Sequence, residues 1–388
     1  MDNFDVTIVG AGLAGLQCAR LLGRSGMRVL LIDRKSSLTR SIHTTGIFVR
    51  RTLTDFDLPE DCLGPVIKHV TLYSPNHRSL DLVSEHDEFR IGRMGQLYSR
   101  LLNQSLLAGV QWLPNTSYES CSELGVLTRV NMRVGSKPRS ITTRYLVGGD
   151  GVCSRVAHDL KLDLNKEWIV GVENVFAGED FPGPPRLLCF LDPNLAPGYI
   201  AWIAADGHEI HAGVAGYPSR FEPQPALTTF INKVKHICDL SSSRLLERRG
   251  GRIPVGGVLR NIANTRGLLI GDAAGAVSPL TAGGLDPCMR LSTLAARVTN
   301  EFLETANEAA LCEYSGNYFR SRFASRLWAR RIASTVQNRT LIELGCGALR
   351  LPVLKRIAAH IFFGRGSFPD PPTNPQRVEA LVHHSAEP

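Results

Sequence analysis

Residues 5–34, DVTIVGAGLAGLQCARLLGRSGMRVLLIDR, constrain the fold of this chain more than any other stretch. An apolar run at 6–9 leads into Gly10-x-Gly12-x-x-Gly15, and a helical segment follows with Leu16, Ala19 and Leu22 on one face. A second apolar run at 29–32 ends on Asp33, 18 residues after Gly15, with Arg34 beside it. Strand, glycine turn, helix, strand and acid arrive in the order a dinucleotide-binding unit requires. Gly10 makes the tight turn, Gly12 lets a pyrophosphate approach the backbone, and Gly15 lets helix and strand pack closely. Leu13 and Ala14 open the helix, whose free N–H groups and positive dipole end face the phosphates. Asp33 is placed to accept hydrogen bonds from a ribose hydroxyl.

At 388 residues the chain exceeds what one core usually holds, which predicts two intimately joined lobes. Its 43% hydrophobic and 21% charged content are those of a globular protein. No apolar run reaches the roughly 18 residues that span a bilayer. Met1-Asp2-Asn3 passes almost directly into the first strand, so no secretory signal is expected. The nine cysteines are scattered without a C-x-x-C pair, a pattern that suits reduced thiols and a cytoplasmic location. The net charge of +8 is concentrated at Arg320, Arg322, Arg326, Arg330 and Arg331, beside Phe319, Phe323, Leu327 and Trp328. A packed helix with a solvated basic face and a helix docked peripherally on an anionic membrane both fit that pattern. No nucleic-acid motif accompanies the charge, so nucleic acid is not an expected partner.

Along the chain, residues 66–91 alternate as strands do, 93–107 are helical in pattern, and 126–134 with 139–147 read as a hairpin. Residues 166–220 are strand-rich, a helix follows at about 225–238, and the pattern after Gly284 stays helical to about 363. The expected fold class is α/β: a discontinuous Rossmann-like cofactor domain (1–65, 92–165 and 250–305) with an inserted antiparallel β-sheet substrate domain (66–91 and 166–249). A helical C-terminal region (306–368) and a disordered, proline-rich tail (369–388) complete it.

Two further motifs close apolar strands. Gly149-Asp150-Gly151-Val-Cys-Ser154-Arg155 follows the run at 145–147, and Gly271-Asp272-Ala-Ala-Gly275 follows the buried strand Gly267-Leu-Leu-Ile270. An acid held at the end of such a strand suits a polyol hydroxyl, and it needs a hydrogen-bond donor because burying a bare charge is costly.

Together these residues resemble the FAD-dependent family that includes para-hydroxybenzoate hydroxylase-like monooxygenases and geranylgeranyl reductases, over about residues 4–300. The resemblance implies that GAGLAG with Asp33 binds the ADP half of FAD, that Asp150 lies near the pyrophosphate, and that Gly271 and Asp272 hold the ribityl chain. It also implies that Arg93 faces the cofactor. GDAAGAVSPLTAGGL (271–285) is similar to the reductase branch, which implies Pro279, Leu280 and Thr281 along the isoalloxazine and Gly283 and Gly284 at its N1–C2=O edge. A helix N-terminus there would stabilise the negative charge of reduced flavin. Two positions depart from that branch: its cysteine after the second strand is absent from Ser41–Gly46, and Tyr199-Ile-Ala-Trp202-Ile-Ala keeps the tryptophan of the cavity signature without the Phe-Pro.

His43 reads either as a proton donor beside the flavin or as a packed histidine, and Trp202 either as a cavity wall or as core. His208-Glu-Ile-His211 lacks metal-site spacing, so no metal is expected. No P-loop and no G-x-S-x-G are present, which argues against an ATPase and a nucleophile-elbow hydrolase. The expected function is an FAD-dependent oxidoreductase that reduces a C=C bond of a small apolar, prenyl- or lipid-like substrate. NAD(P)H or an electron-transfer protein would supply the electrons. A flavin monooxygenase acting on an aromatic or polyene, and a non-catalytic lipid carrier, are the alternatives.

Overall fold

The computed structural model describes residues 2–178 and 183–364, so the expectation for 369–388 falls outside the described residues. The first layer is an eight-stranded sheet. Its centre is parallel: Gln111–Leu113, Val29–Ile32, Asn3–Val9, Lys137–Gly148 and Gly267–Leu269 lie side by side in that spatial order. All four residues of Val29–Ile32 are buried, as expected of a parallel strand covered on both faces. The helix Leu13–Arg24 packs against both Met94–Leu107 and Leu285–Thr305 on this sheet. Thr116–Leu124 and Leu127–Val134 extend the sheet as an antiparallel hairpin on the first half of Lys137–Gly148. The sequence pattern showed only the later two of these three strands.

The second layer is a seven-stranded sheet in the order Leu245–Pro254, Trp168–Ala177, Glu209–Gly216, Ala201–Ala205, Arg186–Phe190, His69–Tyr73, Ser79–Val83. It is antiparallel except where Arg186–Phe190 runs parallel to His69–Tyr73. Residues 250–254, expected in the cofactor domain, complete the strand beside Trp168–Ala177 and so belong to this sheet. Period-two alternation divides its faces. Val172, Phe176, Ile203, Ile210 and Ala212 pack with Leu227 and Phe230 of the helix Pro223–Lys233. Glu173, Trp202, His211 and Gly213 point the other way, toward the first layer.

The C-terminal helices Ala309–Cys312, Gly316–Ser321, Ala324–Thr335, Arg339–Ala348 and Pro352–Phe363 bridge the two layers. Arg339 donates to the Pro75 carbonyl, and Arg350 to that of Ser79, at the edge of the second sheet. The arginine cluster departs from the expected basic face. Arg320 caps the Gly256 and Val258 carbonyls, Arg326 donates to Ser278, and buried Arg330 lies over the rings of Tyr199 and Tyr217. Three of the five cations therefore face inward, because each finds carbonyl, hydroxyl or ring partners there. All nine cysteines are free thiols, and no helix among the described residues is long and apolar enough to cross a membrane.

Candidate active site

A single cavity of about 1790 Å³ runs between the two layers. Small-molecule pockets usually measure about 300–1,000 Å³, so this one has room for an extended cofactor and a second molecule. One end is walled by the three strand ends that the motifs follow. Gly10 sits at φ +103°, and a Cβ there would lie 2.2 Å from the Gly149 carbonyl oxygen. A Cβ on Gly15 would lie 1.8 Å from the Gly10 oxygen, so helix and strand can close only on glycine. Gly12 differs: a Cβ would meet nothing within 4 Å, because the backbone there faces the open cavity.

These residues fit a flavin dinucleotide by two independent observations. The helix Leu13–Arg24 begins at Gly12 without a side-chain cap, leaving its first N–H groups for an anion, and Gly12, Leu13 and Ala14 line the cavity. Next to Gly271, where a Cβ would lie 2.9 Å from Ala14 Cβ, the Asp272 carboxyl has no protein donor among the described residues, and burial pushes its pKa up to about 6. A polyol hydroxyl is the group that would satisfy it. Arg34, Asp33, Asp150, Gly271, Gly283 and Gly284 line the same cavity. Asp33 already accepts from the Ala11 and Lys35 amides (2.7 and 2.8 Å), which pins the acid to the glycine turn. Asp150 accepts from Ser154 Oγ (2.6 Å) and the Arg155 and Val156 amides, so it shapes the second turn.

Two expected cofactor residues lie elsewhere. Arg93 does not line the cavity; its guanidinium donates to the carbonyls of Asp61 (3.1 Å) and Asp206 (3.5 Å), tying the two layers together. Pro279 is buried behind the wall that Ser278 and Leu280 form. His43 does line the cavity, with Nδ1 2.9 Å from the Gly250 carbonyl. A carbonyl can only accept, so Nδ1 carries the proton and Nε2 is left as an acceptor. Burial, followed by the charge of Lys35, lowers the His43 pKa and keeps the ring neutral. A neutral ring whose one proton is held by Gly250 does not suit the expected role of proton donor.

The opposite wall holds a polar cluster that the sequence reading missed. Glu173, 4% exposed, sits amid the apolar strand Trp168–Ala177. Its carboxylate accepts from Thr45 Oγ1, from Trp202 Nε1 (3.2 Å) and from His211 Nδ1 (3.1 Å), and Arg249 stands 3.6 Å away. Gly213 makes room for the indole, since a Cβ there would lie 2.3 Å from Trp202 Cζ2. Trp202 is therefore both cavity wall and hydrogen-bonded anchor. Burial alone would raise the Glu173 carboxyl, but His211, Thr45 and Arg249 outweigh it and hold the pKa below the usual carboxylate range. Burial likewise works against charged His211, and Glu173 outweighs it, so the imidazole is raised. The available signal was an acid at an inward position of a strand whose alternate residues are apolar. Behind the pair, Asp206, Glu209 and His211 offer ligand atoms within 4.8 Å of one another, but Arg249 already places a cation 3.9 Å from Glu209. The C-terminal region adds Arg326, Arg330 and the apolar side chains of Val336, Ile342, Ile361 and Phe362 to the cavity lining.

Residues 3–59 and 95–330 match the FAD binding domain family. A digeranylgeranylglycerophospholipid reductase of Methanococcoides burtonii is 24% identical over 360 residues, covering 88% of this chain and 87% of the relative. One of Methanosarcina acetivorans is 23% identical over 330 residues, covering 79% and 77%. Among solved structures, a geranylgeranyl bacteriochlorophyll reductase-like protein of Thermoplasma acidophilum superposes with a TM-score of 0.82 at 18% identity, covering 99% of both chains. The p-nitrophenol 4-monooxygenase of Pseudomonas putida superposes at 0.69 with 15% identity, covering 99% and 98%. The glycine turn, the two acid-bearing strand ends and the matched 3–59 and 95–330 make this chain a member of the FAD binding domain family, an oxidoreductase with the fold of the geranylgeranyl-reductase-like flavoproteins.

Proposed function

We propose that this protein reduces a C=C bond of a prenyl or lipid-like substrate lying in the apolar arm of the cavity. The observation that carries the reading is the cavity itself: it leaves the flavin-binding wall and runs into the apolar surfaces of Leu187, Ile200, Val336, Ile342 and Phe362. Apolar walls of that kind favour a hydrocarbon chain over a compact polar substrate. The reductases named above act on a prenyl lipid by their names, which supports the substrate class. When bound, the flavin supplies hydride at N5. The chain's own groups would bind and orient it: the helix start at Gly12 would take the phosphates, Asp272 the ribityl hydroxyls, and Gly283 and Gly284 the N1–C2=O edge.

NAD(P)H or an electron-transfer protein acts as electron donor in this reading, and the protein works in the cytoplasm at the membrane surface. Support for the membrane comes from a surface other than the arginine cluster. Leu341 and Leu344, three residues apart, and Val353, Ile357 and Ile361, four apart, are exposed on the last two helices beside Lys355 and Arg356. Ile361 is at once exposed and part of the cavity wall, so a lipid chain could pass from a bilayer into the site. The test is anaerobic incubation of the FAD-loaded chain with a geranylgeranyl lipid and dithionite, followed by mass spectrometry. Two hydrogens gained per double bond are expected. An unchanged lipid, or substrate-dependent oxygen uptake with an oxygenated product in air, would contradict the reductase reading in favour of the monooxygenase.

A further inference from the structure

We infer that the open face of Trp202 stabilises positive charge developing on the substrate, with Glu173 as the group that positions and polarises the indole. The inference rests on the reaction proposed above. A prenyl double bond has no carbonyl beside it to take up the electrons of an incoming hydride. Proton addition therefore leads, and positive charge builds on the more substituted carbon before hydride arrives there. Each double bond takes up one proton from water and one hydride from the reduced flavin, so atoms and charge balance.

One register row of the second sheet carries the geometry. Trp202, Gly213, Glu173 and Arg249 lie side by side on four adjacent strands. A Cβ on Gly213 would stand 2.3, 2.5 and 2.8 Å from Trp202 Cζ2, Cε2 and Cη2, which fits a position above the ring and not at its edge. A Cβ on Gly171, one strand further on, would touch Cη2 at 4.0 Å. The indole therefore lies flat across the sheet on glycine backbone, and its other face is left to the cavity that Trp202 lines. Across the gap left by Gly213, Nε1 reaches the Glu173 carboxylate at 3.2 Å. Tyr199, Ile253 and Ala282 belong to the same apolar cluster as Trp202, and Ala282 lies in the cavity-lining turn 278–284 that would face the flavin.

The face of an aromatic ring is negative and attracts a cation, tryptophan most strongly. A carboxylate that accepts from the indole N–H pushes electron density back into the ring and strengthens that attraction. Arg249 and His211 offset Glu173, but Asp206, Glu209 and Glu247 stand beside those two, so acids outnumber cations at this end of the indole. Two other cations of the cavity wall are engaged elsewhere: Arg326 donates to Ser278, and Arg330 lies over the rings of Tyr199 and Tyr217. No cationic side chain stacks on Trp202 among the described residues, which leaves its face for a cation of the substrate. Trp202 is the catalytic residue of the pair, and Glu173 acts through it as a positioning residue.

The test uses the full, FAD-loaded chain and two probes of one shape: a dodecyl chain ending in trimethylammonium and the same chain ending in tert-butyl, both delivered from cyclodextrin. In equilibrium dialysis the wild-type chain should prefer the ammonium at least about tenfold. Trp202→Leu should lose that preference. Fluorinated tryptophans placed at position 202 should weaken it with each added fluorine, because fluorine draws density from the face and leaves the shape nearly unchanged. Glu173→Gln keeps an acceptor for the indole without the charge and should fall between wild type and Trp202→Leu. In turnover of a geranylgeranyl lipid the fluorine series should lower kcat stepwise with KM unchanged, as for an interaction made only in the transition state. Should Glu173→Gln fail to fold, the fluorine series still decides. Equal binding of the two probes by the wild-type chain, or a preference that either the fluorine series or Trp202→Leu leaves unchanged, overturns the inference. Failure of the wild-type chain to reduce any lipid would count against the proposed function, and the probe pair would still judge the cation site separately.

Discussion

The two walls of the cavity are built by opposite means. The wall on the parallel sheet is backbone: Gly10, Gly12 and the turns after Gly149 and Gly271, with Gly15 packed behind Gly10, matter for what they lack, a side chain. The opposite wall is side chain: Thr45, Glu173, Trp202 and Arg249, with His211 behind them, come from five separate stretches and matter for the groups they bring together. A backbone wall tolerates few substitutions because space is missing. A side-chain wall fails when one member of a charged set is removed and the others stay.

That difference can be broken or sharpened by substitution, beginning with the largest effect. Gly15→Val puts branched atoms where even a Cβ meets the Gly10 oxygen at 1.8 Å, so the chain should fail to accumulate as folded protein, read by soluble yield and circular dichroism. Glu173→Ala leaves His211 and Arg249 facing each other in a buried site and should cost about 3–5 kcal/mol in denaturant unfolding. Its pH dependence has a definite sign. His211 is raised in the fold, so the stability it gains from Glu173 is present below its unfolded pKa and is lost as pH rises through the folded value. Glu173 is lowered, so its share is present above its unfolded pKa and is lost as pH falls through the folded value. The wild-type advantage over Glu173→Ala should therefore be widest between these limits and shrink on both sides.

Gly12→Ala separates binding from folding. The added methyl has open space, so the melting temperature of the ligand-free chain should barely move, while FAD affinity should fall at least about tenfold, or about 1.4 kcal/mol, by calorimetry. Asp272→Asn makes the same separation electrostatically. With a folded pKa of about 6 against an ordinary 3.8, the ionised carboxylate opposes folding at pH 7, and that penalty fades as pH drops from about 6 toward 3.8. The variant should melt higher than wild type at pH 7 without ligand, yet bind FAD more weakly. The smallest effect belongs to Leu344→Glu, exposed on the helix Arg339–Ala348: stability should change by less than about 0.5 kcal/mol while sedimentation with anionic vesicles is reduced.

The same contrast explains what could be read from the chain. A glycine at a fixed spacing after an apolar run encodes a backbone geometry locally, so the parallel centre of the first sheet, the helix Leu13–Arg24 and the positions of Asp33, Asp150 and Asp272 were legible, while the strand Thr116–Leu124 was not. The substrate wall was not, because nothing local ties Thr45 to Glu173 or Glu173 to His211; only the register of Trp168–Ala177 against Glu209–Gly216 brings the last two to one face. The arginines at 320–331 misled for the same reason: their spacing suggested a surface, but carbonyls of Gly256 and Val258, the Ser278 hydroxyl and the rings of Tyr199 and Tyr217, far away in sequence, draw three of them inward. Arg93 likewise finds its partners, Asp61 and Asp206, only once the two layers meet.

The central claim is that three distant stretches of backbone hold one FAD. Hydrogen exchange of the full chain with and without FAD tests it most directly. Simultaneous protection at residues 10–15, 149–156 and 271–284, saturating at one FAD per chain, is the expected result. Protection confined to the first of these segments, or no uptake of FAD at all, would contradict it.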